Sequence, residues 1–369
     1  MTELPGGHAA SGRPSRALPL VSDCLCEQDR SLEQAVASAA RQWAPAEPTE
    51  VFESYWRFAA ERQAIFFRRA SGCPWPWTED PVLRAYRFTN AYRAADRVSQ
   101  FLIRHVIYGG NQGIEDVFFR TLLFRIFNRV DTWRLLEQEV GNIAWRNYAR
   151  HSYDKALTRA MDSGRRIYSA AYVMPSGRGA FGSRRKHRNH LTLLESMMGD
   201  GLPSRLATVA SFQEAFHLLR AYPTVGDFLA YQFATDLNYS QLMDFSEMSF
   251  VIPGPGAKSG IRKCFGSLGG LTEVEIISLV AQRQQTEFER RGIRFQSLWG
   301  RPLQLIDCQN LFCEVDKYAR VVHPHVSGVG GRSRIKQKYV VNPEPVDYWF
   351  PPKWGLNEVV DAWRREHPR

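Results

Sequence analysis

Three groups of residues combine side-chain types and spacings that could do chemistry. The first joins a turn to an acid. Tyr222–Gly226 reads Tyr-Pro-Thr-Val-Gly, Gly226 opens an amphipathic helix over Asp227–Leu237, and Asp244 lies eighteen residues beyond Gly226, after "NYSQLM". A tight turn at a helix start presents unpaired backbone N–H groups at the positive end of the helix dipole, which suits a phosphate. Thr224, Val225 and Gly226 are therefore candidate DNA contacts. A carboxylate such as Asp244, placed beneath a sugar, can stabilise the oxocarbenium-like state formed as an N-glycosidic bond breaks, and can orient a water. The same stretch also reads simply as a turn between two packed helices.

The second and third groups are polar stripes. In "YRFTNAYRAADR", Arg87, Asn90, Arg93 and Arg97 recur at intervals of three, three and four, one stripe of an otherwise aromatic helix. Such a stripe is either a solvated face or the wall of a base pocket. In the pocket reading Arg87 and Asn90 supply hydrogen bonds and Tyr92 supplies a stacking ring. In "LIDCQNLFCEVDKYAR", Asp307, Asn310, Glu314 and Lys317 share a face. Glu314 and Lys317 read as an exposed pair worth a few tenths of a kcal/mol, roughly. Alternatively Gln309, Asn310 and Glu314 line a pocket, with Glu314 as a reserve general acid or base. Pattern alone does not separate Asp236, Asp244 and Glu314 as the working acid.

The elements that must position these residues are helical. From Val51 onward, aromatic and aliphatic residues repeat at three and four, as in "VFESYWRFAAERQAIFFRRA". The spacing predicts a helix after a Pro/Trp turn with Thr78 as N-cap, further helices through residue 163, a Gly/Ser/Arg loop over 174–190, and helices again to Arg320. Strand signals are few and short, and there is no internal repeat. The fold class is mainly α, divided as a flexible segment over 1–47, a helical domain over 48–220, the hairpin and catalytic helices over 221–330, and a basic tail over 331–369. The chain of 369 residues is 44% hydrophobic, with 48 Lys plus Arg against 38 Asp plus Glu, a net charge of +10. That excess favours a polyanionic partner. The basic segments "SRRKHRNH", with Arg184, Arg185 and Lys186, and "GRSRIKQK", with Arg332, Arg334 and Lys336, are candidates for tracking a DNA backbone.

Six scattered cysteines form no CxxC pair, and the nine histidines show no metal spacing; His323 and His325 flank a proline and read as loop residues. No metal and no cofactor is expected. No apolar run reaches the ~20 residues of a membrane helix, and the unpaired cysteines read as reduced thiols, so a cytoplasmic protein is expected; a monomer is expected, though nothing in the sequence fixes the oligomeric state.

The hairpin and its acid resemble the helix–hairpin–helix DNA glycosylases, whose hairpin reads Leu-Pro-Gly-Val-Gly before an essential Asp. Tyr222 and Thr224 depart from that pattern, and the spacing to the Asp is shorter. In members that also cut the strand, a lysine two places after the hairpin glycine forms a Schiff base. Phe228 holds that place, which implies a monofunctional enzyme and puts Phe228 at the base pocket. A rival register, "IPGPGAKSG", makes Gly256 the hairpin glycine and Lys258 the Schiff-base lysine, but no aspartate follows at the needed distance. It is not a phosphate loop, because GxxxxGK[ST] is absent.

Together, "PWPWTEDPVLRAYRFTNAYRAADRVS", "TVGDFLAYQFATDLNYS", "PGPGAKSGI" and "QNLFCEVDKYAR" resemble the α-glutamyl/putrescinyl thymine pyrophosphorylase family over about Phe52 to Arg320. The resemblance implies a helix–hairpin–helix glycosylase-like fold and a hypermodified base in phage DNA as substrate. It also implies excision of that base, α-glucosylated hydroxymethylcytosine in one bacterial anti-phage member, to leave abasic sites. The alternatives are a DNA base-modification enzyme acting on an activated hypermodified pyrimidine and a non-catalytic DNA-binding protein.

Overall fold

The structure, a computed structural model, describes residues 43–342 and 344–367. Cys24, Cys26 and most of the 1–47 segment lie outside the described residues. Among these residues are fifteen α-helices and one two-stranded antiparallel sheet, β1 (Glu47–Pro48) with β2 (Phe265–Ser267). The mainly α expectation is borne out.

Helix α1 (Glu50–Ala70) begins at Thr49, whose hydroxyl accepts from the Val51 N–H; Glu50 and Glu53 favour its first turn and Arg68 and Arg69 its last. Short helices α2 (Pro81–Ala85) and α3 (Arg97–Phe101) flank an irregular crossing, and α3 continues as a π-helical stretch to Ile107. Next come α4 (Ile114–Phe127), α5 (Val130–Val140), α6 (Arg150–Asp162), the one-turn α7 (Arg178–Phe181), α8 (Lys186–Gly199) and α9 (Leu202–Leu206). The 222–226 turn joins α10 (Phe212–Arg220) to α11 (Asp227–Leu237). Then α12 (Pro255–Cys264), α13 (Glu273–Arg290) and α14 (Leu305–Val322) pack with α1, and α15 (Asn357–Glu366) is the last helix described.

The tightest packing is between α12 and α14. A Cβ on Gly256 would collide with the Cys313 sulfur, and one on Gly260 would collide with the Phe312 carbonyl oxygen. Gly256 is thus an inward-facing helix residue that lets two backbones approach, rather than the last glycine of a hairpin. Lys258, two residues on, is exposed on α12.

Two local expectations are corrected. The cap of α2 is Asp80, not Thr78: one Asp80 oxygen accepts from the Val82 N–H (2.8 Å) and the Leu83 N–H (2.9 Å), with Pro81 at the first helical position. The helix stops at Ala85, so Arg87 and Asn90 do not share a helical stripe with Arg93 and Arg97. Tertiary bonds replace the helical ladder there: Arg87 N–H donates to Gln337 O, and Tyr339 N–H donates to Ala85 O, each at 3.0 Å. The 174–190 loop is likewise shorter than expected. It contains α7, and Lys186 opens α8, whose His187 and His190 are buried.

Candidate functional site

The residues between α2 and α3 form the floor of a cleft of about 630 Å³. This irregular segment is pinned from three sides. Arg62, from the apolar face of α1, donates to Thr89 O (2.9 Å) and Asn90 Oδ1 (3.1 Å). Glu314 of α14 accepts from the Thr89 N–H (3.1 Å), and two turns earlier Asp307 accepts from the Arg93 N–H (2.8 Å). The carboxylate stripe of α14 therefore holds a backbone in place. Glu314 also pairs with Lys317 at 2.7 Å, as the plainer sequence reading had it, though Glu314 is buried rather than exposed.

Within this frame Asp96 faces the cleft. Its Oδ1 accepts from the Asn90 N–H (2.8 Å), and it is the one carboxylate among the described residues lining the cleft. Desolvation pushes its carboxyl up to about 7, against the pull of the Asn90 N–H and the Arg62 guanidinium. A carboxylate poised near neutrality is suited to take a proton from a hydroxyl.

The walls are aromatic and basic. Trp75 and Tyr339 stack with centroids 5.4 Å apart and planes at 20°. Arg69, Arg87, Arg97 and Lys338 stand around the rim. Arg69 donates to Asn342 O (3.1 Å) and Arg97 reaches Glu344 (3.4 Å), while Lys338 lies over the Tyr86 ring. Stacked rings beside guanidinium groups match the flat faces and phosphates of a nucleotide.

Behind the cleft lies a closed ion cluster. Asp236 of α11 is fully buried; Arg125 of α4 reaches both of its oxygens, at 2.5 and 2.7 Å, and Arg93 Nη1 approaches at 2.8 Å. Arg93 also donates to Gln232 Oε1 and to the Tyr239 hydroxyl. Tyr172, at a left-handed φ of 54°, covers both guanidinium groups and stacks on Phe228. Phe228 therefore touches a residue of the cleft wall, so the start of α11 adjoins the cleft through Tyr172.

The other expected site residues are dispersed. Asp244 is 81% exposed and pairs with Lys353 at 3.3 Å, away from the cleft lining. Asn90 lines the cleft, but both ends of its amide are engaged, by Arg62 and by Ala95 O. Tyr92 is buried and donates to Arg301 O (2.7 Å). Gln309 is buried near Gly254, while Asn310 is half-buried on α14. Thr224 turns through φ 69° at the 222–226 corner, beside Val225 (buried) and Gly226 (the N-cap of α11). Arg184, Arg332, Arg334 and Lys336 are exposed, whereas Arg185 pairs with Asp162 and Lys186 covers the Tyr168 ring.

Sequence reasoning missed Arg62, Trp75, Asp96, Arg125, Tyr172 and Tyr339. One signal was available: charges such as Arg125 inside "FFRTLLFRIF" interrupt a run too apolar to be a surface, so each needs a buried partner.

The family model for the helical domain of 5-hmdU DNA kinase matches residues 49–328, most of the chain. A 5-hmdU DNA kinase of Bacillus phage SP10 is 28% identical over 288 residues, covering 73% of this chain and 45% of that protein. The chain thus spans less than half the length of the curated relative it matches. No solved structure matches. These findings correct the expected identity. The matching family is named for a kinase of a modified pyrimidine in DNA, not for a pyrophosphorylase or glycosylase, and the readings of base excision, N-glycosyl hydrolysis and abasic sites fall with it. The glycosylase acid role given to Asp244 and the Schiff-base comparison of Phe228 with Lys258 lose their basis as well. The chain belongs to the family of the 5-hmdU DNA kinase helical domain.

Proposed function

We propose that this chain handles a 5-hydroxymethylpyrimidine nucleotide of DNA during phosphoryl transfer to its hydroxymethyl oxygen. This is the base-modification alternative of the sequence reading, narrowed by the relative's name to 5-hmdU. The observation that carries it is Asp96, a desolvated carboxyl with one backbone N–H on one oxygen in an aromatic and arginine-rimmed cleft. In phosphoryl transfer an acid of this kind accepts the acceptor hydroxyl's proton as the new O–P bond forms and the bond to the leaving diphosphate breaks. The Trp75–Tyr339 pair offers a stacking face for the base, and the rim cations offer contacts to the DNA phosphates. The volume is ample for a single nucleotide out of the helical stack.

The test uses oligonucleotides that differ only in thymine or 5-hmdU at one position. Binding by fluorescence anisotropy is followed by incubation with ATP and mass measurement of the DNA. Tighter binding of the 5-hmdU strand and gain of one phosphate, with the gain lost in Asp96→Asn while binding persists, is the expected result. Equal binding of both strands and no mass change would sink the proposal.

A further inference from the structure

Away from the cleft, one carboxylate and two imidazoles converge where α1 begins and α14 ends. Glu50 is the first residue of α1, and His323 caps α14. His325 follows after Pro324. The Val326 N–H donates to His323 O (3.0 Å), closing a four-residue turn with Pro324 at its second position, so both rings project from a stiff corner. Glu50 Oε1 lies 2.6 Å from His325 Nε2 and 3.4 Å from His323 Nδ1, and the ligand atoms of all three residues lie within 4.8 Å of one another.

We propose that Glu50, His323 and His325 bind a zinc ion that ties the start of α1 to the end of α14. Zinc bonds of about 2.0 Å in a tetrahedron place ligand atoms about 3.3 Å apart. The Glu50–His323 separation already has that value. The Glu50–His325 contact must open by less than 1 Å, and His325, 69% exposed on its turn, has room to do so. A lone Glu–His hydrogen bond accounts for the short contact. It does not account for a second imidazole that aims its Nδ1 at the same carboxylate oxygen.

Ser54, one turn along α1, supplies the outer support. Its hydroxyl lies 2.7 Å from His323 Nε2, so a proton held on Nε2 leaves the Nδ1 lone pair directed at the site. Two imidazoles and one carboxylate suit zinc, whereas magnesium and calcium take oxygen ligands. The exposed side of His325 leaves the fourth position to water. Because α1 and α14 are both core helices, an ion that joins their ends favours the folded chain.

Zinc titration of the full chain by calorimetry, with thermal melts alongside, tests the site. Expected are one zinc per chain, an affinity at least tenfold weaker in His325→Ala and Glu50→Gln, and a melting temperature raised by zinc in the wild type but not in His325→Ala. His325 is exposed, so its variant folds, and circular dichroism checks this. Equal zinc affinity in wild type and His325→Ala, no binding at millimolar zinc, or displacement of zinc by equimolar magnesium would each overturn the assignment.

Discussion

The cleft and the closed ion cluster behind it are built from the same two side-chain types, and they do opposite things with them. In the cluster, two guanidinium groups saturate both oxygens of Asp236, which is fully buried. It lies between the Arg93 and Arg125 guanidinium groups and pairs with both. In the cleft, Asp96 has one backbone N–H on one oxygen, while Arg62 gives its donors to Thr89 and Asn90 instead. Asp96 is therefore desolvated without a matching ion pair, and its carboxyl moves up to about 7. The number of donors aimed at each carboxylate, rather than its distance from an arginine, separates a structural acid from one able to exchange a proton.

The largest effect that could break this contrast is expected at Asp236. Asp236→Asn removes the one carboxylate that, among the described residues, touches two buried guanidinium groups, and should cost about 3–5 kcal/mol of stability. Urea denaturation measures it; a loss below about 1 kcal/mol would mean that the cluster is not the clamp described.

Asp96→Asn should act in the opposite direction. The folded carboxyl titrates near 7 against an ordinary value of 3.8, so the protonated form is favoured in the folded state. The associated stability is present below pH 3.8 and is lost as pH rises through about 7. The neutral Asn variant lacks that loss, so its melting temperature should exceed the wild type's at pH 8 and converge with it near pH 4. In the proposed phosphoryl transfer, the wild-type rate should rise through pH 7, and the variant should fall by a factor of about 10² or more. A variant less stable than wild type at pH 8 would place Asp96 in the same class as Asp236.

A smaller effect belongs to the cleft wall. Trp75→Ala removes one ring of the Trp75–Tyr339 stack, and Trp75 is 39% exposed, so folding should change little. Affinity for single-stranded DNA should fall by about 1–3 kcal/mol, read by anisotropy. Unchanged affinity would remove the stacking wall from the proposed site.

How much of this was legible varies by element. The helix at Glu50–Ala70 follows from its 3.6-residue apolar period, legible from Val51 onward, and α14 follows from its period too. The same reading failed at residues 86–92, because period and propensity are local while the competing bonds come from Gln337, Glu314 and Asp96. For the site, the α14 stripe was visible, yet its partners were not. Asp307 and Glu314 read as pocket or surface residues, and only the fold shows that they hold the Arg93 and Thr89 backbone. Asp96 lies inside "YRFTNAYRAADR" with nothing to mark it, since a carboxylate's desolvation has no signature in spacing.

The sequence by itself determined the helical class, the basic charge and the long helices, because apolar period and composition act along the chain. The tertiary structure alone decided which acids are clamped and which is poised, and that Trp75 meets Tyr339. It also decided that His323 and His325 meet Glu50. Each of these depends on groups far apart in sequence converging in a desolvated space, where the count of hydrogen-bond donors and the loss of water set the chemistry.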